Sequence, residues 1–108
     1  GIGIFNGTKG KRLYFGLARS PEVYSVALNA ATGYFFGEPQ FEFSLAAQPG
    51  GSFDNGHRIQ FTQNGRMLVK GVEFSFSLQV ASDPQRNIYT FQHEPTDDSW
   101  TFLSVQQE

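Results

Sequence analysis

The sequence contains no cysteine. Disulfide staples, thiolate metal sites and thiol catalysis are therefore excluded. Stability has to come from packing or from assembly with other chains. No apolar run approaches the ~20 residues that cross a bilayer as a helix, so no membrane insertion is expected. No stretch resembles a signal peptide. An excess of positive charge is missing too: eight Lys and Arg stand against ten Asp and Glu, for a formal net charge of −2. Without an overall positive field, no nucleic-acid partner is expected. Repeats at a solenoid or propeller period are absent, as are low-complexity tracts and internal linkers.

Aromatic residues and turn formers are plentiful. Among 108 residues there are twelve Phe, four Tyr and one Trp, with twelve Gly and five Pro between the apolar runs. The length fits one domain, residues 1–108. A chain of this size buries roughly 60–70% of its unfolded surface, so its core must be rich in large side chains, and the rings supply them. The first residue is Gly rather than Met. The expectation is an excised domain or a processed product whose natural context is a longer protein.

Period-2 alternation, the mark of half-buried strands, dominates the chain. In Phe41-Glu42-Phe43-Ser44-Leu45 the apolar residues are predicted to point one way. In Phe74-Ser75-Phe76-Ser77-Leu78-Gln79-Val80 the same pattern runs for seven residues, and a one-residue slip would turn its apolar set into water. Ile2 to Phe5 and Lys11 to Leu17 flank a Gly-containing hairpin loop. Val23 to Leu28 puts Tyr24, Val26 and Leu28 on one face. Tyr34-Phe35-Phe36 is a continuous apolar run, predicted to be buried on both faces. Arg58 to Gln63 and Met67 to Val69 flank Asn64-Gly65, a dipeptide able to take φ > 0 at both turn positions. Asn87 to His93 and Trp100 to Val105 form a last pair. Ser20-Pro21-Glu22-Val23 allows at most one helical turn. The fold class is all-β: an antiparallel β-sandwich of about eight to ten short strands.

Residues that carry chemistry are few. His93, Glu94, Asp97 and Asp98 offer oxygen ligands to a cation, but Pro95 stiffens the segment and no mid-loop Gly is present. A solvated acidic turn is the plainer reading. No Ser lies in a Gly-x-Ser-x-Gly elbow. Gly10-Lys11-Arg12 opens a strand, not the helix of a phosphate loop. Lys9, Lys11 and Arg12 make a small basic cluster able to attract an anionic glycan, or simply a solvated hairpin face. Asn6-Gly7-Thr8 matches the N-glycosylation pattern. Catalytic residues, cofactors and a metal are accordingly not expected, and binding is expected instead. The binding candidates lie in loops and at strand ends. Phe53, in a Gly-rich loop, is either a plug over the core or an exposed contact, and the plug is favoured. Arg58, Arg66 and Arg86 sit where Arg commonly joins recognition surfaces. Trp100 opens the last strand, and packing suits it better than sugar stacking.

The chain ends Trp100-Thr101-Phe102-Leu103-Ser104-Val105-Gln106-Gln107-Glu108. This segment resembles the end of adenovirus fibre heads, which often finish in a Thr-Phe strand and a terminal Gln-Glu. Thr101, Phe102, Ser104, Gln107 and Glu108 carry the likeness. The Thr-Leu-Trp-Thr signature of the shaft–head boundary is absent, and the chain is shorter than the usual head. Similar small trimeric heads occur on reovirus and bacteriophage receptor-binding proteins. The resemblance implies that residues 1–108 are a β-sandwich head domain, the C-terminal part of a longer fibrous protein, forming a homotrimer at the fibre tip on the virion surface and attaching to a host-cell receptor, protein or glycan. Apolar residues on both phases of Tyr34-Phe35-Phe36 and Ile88-Tyr89-Thr90-Phe91 fit shelter in a symmetric interface. A carbohydrate-binding β-sandwich module of a secreted protein is the alternative, recognisable by exposed aromatics.

Overall fold

A computed structural model describes residues 1–8, 10–73 and 86–107. The strand read over Phe74 to Val80 lies outside them. Two four-stranded antiparallel sheets make up the described chain, each a simple meander. The first holds β1 (Ile2–Gly7), β2 (Gly10–Gly16), β3 (Glu22–Leu28) and β4 (Phe35–Ser44). The second holds β5 (Asp54–Phe61), β6 (Arg66–Glu73), β7 (Arg86–Glu94) and β8 (Ser99–Gln107). A 3-10 turn, Leu45–Ala47, starts the crossover between them. Residues Ser20 to Val23 form no helical turn, because the β-branched and aromatic residues that follow pull Glu22 into β3.

The core lies between the sheets. Tyr14, Val23, Phe43 and Leu45 face Ile59, Met67, Val69, Tyr89 and Phe91, all buried. Phe43 and Phe91 stack with centroids 3.9 Å apart and form the central contact. Toward one end, Phe5, Tyr14, Phe61 and Trp100 pack edge-on or tilted at 5.1–5.7 Å, geometries that ring quadrupoles favour. The Trp100 indole N–H points at the Tyr14 hydroxyl from 3.4 Å. At the other end the backbones themselves meet. A Cβ on Gly16 would come within 2.6 Å of the Gly56 carbonyl oxygen, so only glycine lets β2 and β5 approach this closely.

Three local expectations change. In β4, a register shift sets Phe43 opposite Val23 but Phe41 opposite Tyr24. Neighbouring β3 residues point to opposite faces, so Phe43 enters the core and Phe41 turns outward. The Tyr34-Phe35-Phe36 run is not buried: its residues are 76%, 61% and 57% exposed. They follow a turn held by the Asn29 side chain, which accepts from the Ala31 and Thr32 amides, and nothing described lies over them. At Asn64-Gly65, positive φ occurs at Gly65 alone (78°). The Gly65 amide bonds the Thr62 carbonyl and the Thr62 amide bonds the Arg66 carbonyl. The loop is thus three residues with glycine in the left-handed position, not a two-residue turn.

Candidate functional site: two unlike outer faces

Strand pairing fixes which side chains look away from the core, because paired residues share a face. On the first sheet, Ile2 pairs with Phe15 and Ile4 with Leu13. Leu13 in turn pairs with Val26, and Phe15 with Tyr24. Phe41 then pairs with Tyr24 and Phe35 with Leu28. Phe15 and Tyr24 stack, and Tyr24 meets Phe41 edge-on at 5.7 Å. This outer face is therefore a continuous apolar and aromatic sheet, with Ile2, Ile4, Phe35 and Phe41 exposed.

The second sheet presents the opposite chemistry. Arg58 pairs with Lys70 and Gln60 with Leu68 across β5 and β6. Arg66 pairs with Gln92, Leu68 with Thr90, Lys70 with Ile88 and Val72 with Arg86 across β6 and β7. Arg58, Arg66 and Arg86, three of the binding candidates, thus share one face, and Arg58 and Arg86 share one groove. That groove, of about 380 Å³, is lined by His57, Arg58, Lys70, Val72 and Arg86. A second, of about 210 Å³, continues from Arg58 and Lys70 past Gln60, Leu68 and Ile88. Arg66 stands apart at the far end of β6, its Nε 3.4 Å from Gln92 Oε1.

Phe53 immediately precedes β5, at the end of the sheet where Arg86 begins β7. It is 47% exposed, so the favoured plug reading is overturned: the crossover holds itself by other means. The Ser52 amide donates to the Tyr89 hydroxyl (3.1 Å), which donates to Asp54 Oδ2 (2.5 Å), beside a bond from Asn87 Nδ2 (2.8 Å). With its ends tied by these polar groups, the loop leaves the Phe53 ring outside. Burial, then the bond to Asp54, pushes the Tyr89 phenol up to about 12. Asp54 Oδ1 is buried and has no hydrogen-bond partner among the described residues.

The acidic turn is more than solvated. Asp98 Oδ1 sits 2.6 Å from His93 Nε2 and accepts from the Thr8 amide at 3.0 Å. The Thr8 hydroxyl lies 2.8 Å from both Asp98 Oδ1 and the Pro95 carbonyl oxygen. Asp98 therefore latches the β1–β2 turn to the β7–β8 turn, joining the two sheets. Among the described residues, no three His, Asp or Glu side chains gather as a metal would require. The basic cluster read at 9–12 is divided. Arg12 Nε turns inward to the Ser25 hydroxyl (2.9 Å), which donates to Glu42 Oε2 at 3.0 Å. Lys11 is exposed, and Lys9 lies outside the described residues. Burial above all raises the Glu42 carboxyl, against the lowering effect of its Ser25, Arg12 and Gln40 partners.

Lys70 and His57 were absent from the sequence-based site. A signal for Lys70 existed: Met67 and Val69 pointing inward require Leu68 and Lys70 to point outward. His57 joins through the irregularity between Gly56 and Arg58, which alternation does not foretell.

Fold and faces define a class: an antiparallel sandwich of two four-stranded meanders, apolar on one outer face and cationic on the other. No family model, curated protein or solved structure matches the chain significantly.

Proposed function

We propose that this chain is a non-catalytic attachment head that self-associates through the apolar face of its first sheet and grips a target with the cationic face of its second. The contrast between the two outer faces carries this reading. An exposed sheet of Ile, Phe and Tyr side chains has the composition of an obligate interface. A row of Arg and Lys held on rigid strands has the composition of a recognition surface. Among attachment heads, the receptor-binding head of a viral fibre, trimeric and at the fibre tip, is the form we favour. The Thr101-Phe102 strand ending supports it. Three copies would present three equal grooves to a host-cell receptor and strengthen attachment by ~10²–10⁴ through avidity.

Light scattering of the purified chain, followed by a cell-binding assay, tests the proposal. A trimer that attaches to cells is the expected result. A monomer that attaches to no cell type overturns it. The exposure of Tyr34, Phe35, Phe36 and Phe41 favours a second reading, a carbohydrate-binding module that stacks sugars. It predicts a monomer that binds neutral polysaccharide and loses binding on Tyr34→Ala.

A further inference from the structure

We infer that the cationic groove of the second sheet is a binding site for a sulfated polysaccharide. The assignment rests on the reading of the domain as an attachment head and names its ligand. The argument begins with register. Arg58 stands directly opposite Lys70 on neighbouring strands. Lys70 pairs with Ile88, which places Arg86 diagonal to Lys70, within reach of such long side chains. The three cations therefore form a row across β5, β6 and β7 on one rigid face. His57 adds a fourth nitrogen-bearing group at the groove wall.

Such a row invites closely spaced oxyanions. Each guanidinium offers a planar fork to a sulfate or carboxylate, and the ammonium a point charge. The two grooves share Arg58 and Lys70, so the depression is elongated and shallow, a shape suited to a chain and not to a compact molecule. Away from the cations its walls are Gln60, Leu68, Val72 and Ile88. An amide for hydroxyl groups and aliphatic carbons for sugar-ring faces suit an acidic sugar chain. Nucleic acid fits less well: among the described residues His57 is the one ring lining either groove, so unpaired bases have no run of stacking platforms. The net charge of −2 also argues against general polyanion capture.

Heparin serves as the probe, on an immobilised column and in solution, beside desulfated heparin, hyaluronate and single-stranded DNA. The intact chain should be retained by heparin, elute with salt as the contacts are screened, and unfold at a higher temperature with heparin present. Desulfated heparin and hyaluronate should retain it far less. Arg58→Gln and Arg86→Gln should each weaken heparin binding about fivefold to tenfold. Arg58→Gln, a substitution at an exposed strand position, should leave the unfolding temperature unchanged, so lost binding is not lost fold. Arg66→Gln, at the far end of the face, should change binding less than twofold or so. Equal losses at Arg66 and Arg58 would overturn the groove as the site. DNA binding as tight as heparin, or equal retention by hyaluronate, would overturn the ligand class. Cell attachment without heparin retention would remove the sulfated ligand and leave the attachment reading standing. Attachment to no cell would remove both.

Discussion

The two sheets share a plan and differ in what they show to the outside. Each is a four-stranded antiparallel meander, and each gives large apolar side chains to one core. Outward, the first sheet carries Ile2, Ile4, Phe15, Tyr24 and Phe41, and the second carries Arg58, Arg66, Lys70 and Arg86. A sheet with one face on the core needs only that face to be apolar. Polar or charged residues outside are the ordinary outcome, and the second sheet follows it, with Arg58, Lys70 and Arg86 gathered at one end and Arg66 at the other. The first sheet is apolar twice over. The difference shows that folding the monomer accounts for the second sheet's pattern and for only half of the first's. The remaining exposed apolar face is the observation on which the proposed self-association rests.

The largest expected effect tests what the sheets have in common. Phe43→Ala and Phe91→Ala remove opposite halves of the same stacked pair, and each should cost about 3–5 kcal/mol in urea unfolding. A loss below ~1 kcal/mol from either would deny the shared core. Next comes the crossover. Asp54→Ala strands the Tyr89 hydroxyl and the Asn87 amide and should cost about 1–3 kcal/mol, whereas Glu38→Ala, at an exposed position of β4, should cost under ~0.5 kcal/mol.

The unlike faces separate further under assembly. If the proposed trimer forms, Phe41→Lys should dissociate it, a threefold or so fall in light-scattering mass, while Arg86→Gln should leave the mass unchanged. A trimer that survives Phe41→Lys, or one that dissociates on Arg86→Gln, would reverse the roles assigned to the two faces.

The smallest effect concerns pH. The Glu42 carboxyl is raised in the folded state, first by burial, so the folded chain holds its proton to higher pH than the unfolded one. The stability this contributes is full below the ordinary value of 4.5 and is lost as pH rises through the folded value. Glu42→Gln should flatten that slope in unfolding temperature against pH, and an unchanged slope would show that another group is responsible.

Much of the fold was legible in the sequence. Alternation marked most strands, the Gly-bearing hairpin appeared between Gly7 and Gly10, and the aromatic residues proved numerous enough to fill a two-sheet core. The errors share a cause. Alternation treats a strand as uninterrupted, but β4 contains irregularities, and so Phe41 was predicted on the core side. An apolar run such as Tyr34-Phe35-Phe36 reads as buried because sequence records hydrophobicity and not the presence of a covering layer. Phe53 was misjudged for the same reason.

The candidate site was legible in pieces. Arg58, Arg66 and Arg86 stood out singly as cations at strand ends. That two of them meet across Lys70 while the third stays apart was beyond local reading, because residues 58, 70 and 86 are brought together by pairing between strands.

By itself, the sequence determined the class: period-2 hydrophobicity, many rings, frequent turn formers and no cysteine leave an antiparallel β architecture held by packing. Only the tertiary structure decided which face each ring or charge occupies. Register is a long-range choice, set by hydrogen bonds between strands far apart in the chain, and one bulge is enough to reverse a side chain's direction.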